Sequence, residues 1–254
     1  MSAPRTYSTP AVVLRQSDLG EADRIVTLYT PFHGKLRAVA KGARRPTSHL
    51  GGHLELFTHS RLLLAHGRDL DIVTQAETIA PFLGLRDDLW RATLACYAVE
   101  FLDRLTVEHN ADPATFELLL ATLARIADDR NPELALRFAE VQCLVQLGYR
   151  PQLRECVRCH RKLEPTGNVF SPGVGGVLCA DCRATDPGAR ALGTTAFKVL
   201  RLLETGDWEP VRRLRLGEAP RRELEVLLKA YGEHITEREL RSGRLLAMIR
   251  QPPE

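Results

Sequence analysis

The sequence predicts an α+β protein: a small β-barrel over residues 1–80, then an α-helical domain over 81–254 carrying a metal module at about 151–190. Three observations predict it. In the first 80 residues, short runs rich in Val, Ile, Thr and Leu are separated by closely spaced Gly, Pro, Asp and Ser. From Pro81 the apolar residues recur with the period of a helix. Between the later helices, four of the six cysteines fall into two C-x-x-C pairs within 27 residues.

The barrel strands are read from "TPAVVLRQS", "RIVTLYT", "GKLRAVAKG", "LFTHSRLLLAHG" and "LDIVTQAETI". Five strands in so short a stretch fit an OB-like or SH3-like barrel; an immunoglobulin sandwich needs about seven. The first helix, "DDLWRATLACYAVEFLDRLTVE", places Leu89, Ala92, Thr93, Cys96, Val99 and Leu102 on one stripe. Asp112-Pro113 opens a second helix. Asn131-Pro132 opens a third that stops at Gly148, since Asn caps and Pro suits a first turn. Thr194 or Thr195 is placed to cap "AFKVLRLLE", and "RRELEVLLKAYGEHI" and "ERELRSGRLLAMI" complete the helical part.

The 254 residues carry 44% hydrophobic and 26% charged side chains, the composition of a folded globular chain. No apolar run reaches the roughly 18 residues of a membrane span. "MSAPRTYSTP" lacks the apolar core of a signal peptide, so a cytoplasmic location is expected. There the cysteines stay reduced, which argues against a disulfide framework.

Cys156, Cys159, Cys179 and Cys182 form C-x2-C-x19-C-x2-C, inside the window of a four-cysteine zinc site. Two knuckles supply a closed tetrahedral set with no position left for water, so one structural zinc is expected. Arg154, Arg158, Arg161, Lys162 and Arg183 are available to soften its negative charge, and "SPGVGGVLC" suits a ribbon hairpin. The alternative is redox pairs or incidental cysteines. Cys96 and Cys143 lie in helical patterns and read as small buried hydrophobes.

Net charge is only +3, but it is unevenly spread. Between Asp23 and Glu55 there is no acid, while Arg24, Lys35, Arg37, Lys41, Arg44 and Arg45 all lie there. In "GKLRAVAKG" the period of two turns Lys35, Arg37, Val39 and Lys41 outward to solvent and Leu36, Ala38 and Ala40 inward. Such a row suits a phosphate backbone, with Tyr29 and Phe32 as rings for stacking bases. Its bland counterpart is a solvated strand blunted against aggregation. His33, His49, His53, His59 and His66 read as loop or strand-surface residues. G-x-x-x-x-G-K-[ST], G-x-S-x-G and H-E-x-x-H are all absent, and no group of residues suits covalent catalysis, so no enzymatic activity is expected.

The stretch "SDLGEADRIVTLYTPFHGKLRAVAKGARRPTS", followed by helices and the cysteine insert, resembles the bacterial RecO family of recombination mediators and DNA-repair proteins. The resemblance runs end to end and is most specific from Gly20 to Ser48, where His49 just beyond replaces an Arg of some members. It implies an N-terminal OB fold, then a helical domain with a zinc module. It also implies binding of single- and double-stranded DNA and annealing of complementary strands. With RecR, such proteins help load RecA onto DNA coated by single-strand-binding protein, whose acidic C-terminal tail they recognise. Arg238, Arg241 and Arg244, beside Leu240, Leu245 and Leu246, are the expected site for that tail. A zinc-ribbon assembly factor with protein contacts only, and a nuclease, are the competing readings.

Overall fold

A computed structural model describes residues 5–250, without the Arg250 side chain, and divides into two compact units, 1–128 and 129–254. The change from strand to helix at Pro81 lies inside the first unit.

That unit opens with β1 (Thr6–Leu19), β2 (Asp23–Thr30), β3 (Gly34–Ala40), β4 (His59–Ala65) and β5 (Asp71–Ala80). They close a barrel in the order β1-β2-β3-β5-β4, with β3 and β5 parallel and the other pairs antiparallel. This five-stranded closure is the OB fold, which decides between the two barrel types open from the sequence. β1 serves two neighbours: Thr6–Val12 pairs with β4, and Val12–Leu19 pairs with β2, with a register shift between Val13 and Arg15. The period of two decides the interior. Leu36, Ala38 and Ala40 join Val26, Leu28, Leu62 and Leu64 in the barrel core, as expected.

α1 (Leu89–Leu105) and α2 (Pro113–Asp128) follow in the same unit. The Asp88 carboxylate caps α1 by accepting from the Trp90 and Arg91 amides, and Asp112 accepts from Ala114 N–H at 3.0 Å. The stripe expected on α1 is too narrow: Leu94, Ala95, Tyr97, Ala98 and Phe101 are also buried, whereas Leu89 is exposed. His59, expected on a strand surface, meets the Phe116 ring of α2 edge-on at 5.7 Å, and its Nε2 has no partner among the described residues. Burial pushes this imidazole below its ordinary pKa; Glu117 opposes the shift and Arg61 adds to it. The neutral form is therefore the folded one. Its contribution is fully present above the ordinary pKa of about 6.5 and is lost as pH falls through the lowered value. His59→Gln should remove this part of the acid sensitivity, read as a smaller change in unfolding midpoint between pH 7 and 5. An unchanged pH profile would show that His59 does not titrate on unfolding.

The second unit holds α3 (Pro132–Gln146), β6 (Val169–Ser171), β7 (Gly176–Leu178), β8 (Arg190–Ala191), α4 (Thr194–Glu204), α5 (Trp208–Arg212), α6 (Glu218–Thr236) and α7 (Arg241–Arg250). Asn131 caps α3 as expected. Thr194 and Thr195 do not cap α4. They lie inside it, and the capping residue is Gly193, whose N–H binds the Glu223 carboxylate. α7 starts four residues later than the sequence suggests, because Glu237 takes a left-handed conformation, φ 53°, that ends α6. No helix among the described residues is long and apolar enough to cross a membrane.

Candidate nucleic-acid interface and metal centre

The strand register holds, but the six expected cations do not form one free row. Lys35 is directed away from the barrel interior onto the end of α1. There its ammonium donates to the Asp103 and Thr106 carbonyls at 2.5 and 2.7 Å and pairs with the Asp103 carboxylate at 3.0 Å. Its side chain is 12% exposed. It is a fastening between barrel and helix, so the expectation of a solvent-facing Lys35 is corrected. Arg24 pairs with Glu55 at 3.2 Å. Arg44 donates to the Gly20 carbonyl at 3.1 Å and pairs with Asp18 at 3.3 Å, tying its loop to the β1–β2 hairpin. The Gly42 amide does the same through the Asp23 carboxylate at 2.8 Å.

Arg37, Lys41 and Arg45 remain exposed without an ion pair among the described residues. The register adds a cation that sequence reading missed. Arg15 of β1 stands opposite Thr27 of β2, which stands opposite Arg37 of β3, so two exposed arginines flank one buried threonine. The signal for Arg15 was its place in the strand pattern, and only cross-strand register turns that into proximity. Of the two rings, Tyr29 is fully buried and offers no stacking face. Phe32 is 70% exposed at the β2–β3 turn, the Lys35 end of β3, beyond the free cations.

The four cysteines do come together. One Sγ from each of Cys156, Cys159, Cys179 and Cys182 lies within 4.8 Å of every other, so they are close enough to hold one metal ion. The first knuckle is closed by His160 N–H donating to the Cys156 carbonyl at 2.9 Å, with His160 at φ 57°. The second is closed by Cys182 N–H donating to the Cys179 carbonyl at 3.0 Å. Burial alone would raise the Cys156 thiol; the amides of Cys159, Cys179 and Arg158 outweigh it and hold the pKa at about 6. Cys182 is pushed up to about 12 by partial burial and by hydrogen bonds with the other three sulfurs. Arg161 bridges the knuckles, facing the Cys159 sulfur and pairing with Asp181 at 2.9 Å. Of the other two cysteines, Cys143 is buried, as expected, and Cys96 half-buried, its thiol raised by burial.

Two family models match the chain: "Recombination protein O N terminal" over residues 1–82 and "Recombination protein O C terminal" over 86–244. A curated relative from Roseiflexus sp. (strain RS-1), "DNA repair protein RecO", is 47% identical over 247 residues, covering 97% of this chain and 87% of its own. The chain belongs to the RecO family. Relatives of the same name from Desulforudis audaxviator and Dehalococcoides mccartyi are 40% and 39% identical, covering 97% and 94% of both chains.

For a RecO chain, the tail site expected at Arg238, Arg241 and Arg244 is not the slot that the sequence suggested. Leu240 and Leu246 are buried as core residues, and Arg244 is held by both oxygens of the Glu239 carboxylate. Leu245 and Met248 are exposed large apolar side chains of α7. The helical period predicted a stripe but not which side of it faces the core.

Proposed function

We propose that this RecO-family chain is a non-enzymatic recombination mediator that binds single- and double-stranded DNA and anneals complementary strands. With RecR it helps load RecA onto DNA coated by single-strand-binding protein, in the bacterial cytoplasm at the nucleoid. What carries the DNA-binding part is the group of exposed cations Arg15, Arg37, Lys41 and Arg45 on the OB barrel. Phosphate contacts of this kind supply affinity without base information, and neutralising two strands lowers their repulsion and lets pairing proceed. The family resemblance supports the partners RecR, RecA and the acidic tail of single-strand-binding protein.

The metal is structural zinc in this reading. Four sulfurs at about 2.3 Å from one ion stand about 3.8 Å apart in a tetrahedron. Cys159 and Cys179 are 3.7 Å apart, and the Cys179 amide donates to the Cys156 sulfur at 3.4 Å. When bound, zinc cross-links the two knuckles and leaves no coordination position for substrate.

Four contacts to single-stranded phosphates at ~0.7 each give a log–log salt slope near −3 for every sequence. Arg37→Glu with Lys41→Glu should bring it to about −1.4 and slow annealing, with the fold intact because both side chains are exposed. A folded double variant with the wild-type slope and annealing rate would overturn the reading. So would a wild-type protein that does not bind oligonucleotides, the behaviour of a zinc-ribbon assembly factor.

A further inference from the structure

The barrel is not the only dense run of cations. Between α5 and the first turns of α6, residues 212–222 contain Arg212, Arg213, Arg215, Arg221 and Arg222 against one acid, Glu218. All five arginines are exposed. Arg212 and Arg213 share the single carboxylate of Glu209 at 3.2 and 3.7 Å, with side chains 51% and 79% exposed. Arg215, Arg221 and Arg222 have no ion pair among the described residues. The nearby Glu223 is already committed to the Gly193 amide.

Three of the five guanidinium groups have no carboxylate partner among the described residues. Glu218 is the one acid in the first turn of α6, Arg221 and Arg222 follow it, and Gly217 supplies no side-chain cap. Arg215, Arg221 and Arg222 thus keep exposed guanidinium groups that a polyanion can engage. Guanidinium groups fork onto phosphate oxygens, which suits a nucleic-acid backbone. The surroundings lack the apolar anchor of a peptide site: Val211 is buried, Leu214 and Leu216 are half-buried, and Val226 is the one exposed large apolar side chain of α6. We infer that the α5–α6 connection is a second single-strand contact, holding the complementary strand while the barrel holds the first. This rests on the DNA-binding reading above, and it places the two strands to be paired on separate units of the chain.

The test compares three full-length proteins: wild type, Arg215→Ala/Arg221→Ala/Arg222→Ala, and Arg37→Glu/Lys41→Glu. Each is titrated with a short oligothymidylate to count strands bound, then assayed for annealing. The wild type should bind two oligonucleotides per chain and the arginine-loop variant one. That variant should anneal about tenfold slower or worse, because the second strand is no longer held at high local concentration. The single variant Arg222→Glu, read against equal zinc content and helical signal, guards against an effect on folding. Wild-type stoichiometry and annealing in the loop variants would overturn the inference. So would loss of polyglutamate-peptide binding alone, which would make the loop a protein contact. Loss of one strand in the loop variant supports it even where the barrel variant loses none; that result would overturn the barrel reading instead.

Discussion

Cys156→Ser is expected to lower the bound metal from about one equivalent to a small fraction and to unfold the segment around the two knuckles, because binding energy is folding energy in such modules. Cys156 is the fully buried cysteine of the four, and its sulfur accepts the Cys179 amide. The loss should spread into the helices of the same unit. Arg201 donates to the Leu153 carbonyl at 2.8 Å, and Arg150 and Arg154 both reach the nearly buried Glu204, at 3.2 and 3.7 Å. Phe170 packs edge-on against Tyr231 at 5.4 Å, whose hydroxyl donates to the Tyr149 carbonyl. Removing the cross-link releases these contacts, so thermal unfolding should begin several degrees lower. Metal analysis and differential scanning calorimetry on the same preparations check both parts. A variant with undiminished zinc or an unchanged transition would refute a four-cysteine structural site.

Lys35→Glu is expected to cost about 4 kcal/mol, the scale for breaking a nearly buried ion pair. The change sets a carboxylate against Asp103 and two carbonyl oxygens, all of them acceptors. Lys35→Met keeps the apolar stem but leaves Asp103 unpaired, and should cost somewhat less, about 3 kcal/mol. Denaturant unfolding measures both. The salt slope of DNA binding by the folded Met variant should match wild type, since this ammonium has no part in phosphate contact. A Met variant of undiminished stability with a flatter slope would return Lys35 to the DNA-binding row.

The contrast between these two sites shows what could be read without a structure. The four-cysteine cluster was legible because a C-x-x-C turn is local: two residues of spacing already let two sulfurs face one ion. The barrel strands were legible for the same reason, since alternation sorts Leu36, Ala38 and Ala40 from their neighbours whatever surrounds them. Asp112 and Asn131 announced their helices through side chains that reach only two or three residues ahead.

Charge pairing was not legible, because its partners are distant in the chain. The run from Arg24 to Glu55 has no acid inside it, yet folding brings Glu55 to Arg24, Asp18 to Arg44 and Asp103 to Lys35. Tyr29 and Lys35 stand opposite each other on β2 and β3, yet the first is fully buried and the second is fastened to the end of α1. Arg15 joins Arg37 only through Thr27 between them. The sequence by itself therefore determined the barrel strands, the longer helices and their order, the barrel interior and the four-cysteine cluster, all set by short-range spacing. Which cations stay free for a polyanion was decided only by the tertiary structure, because Coulomb partners are chosen by distance in space and not by distance along the chain.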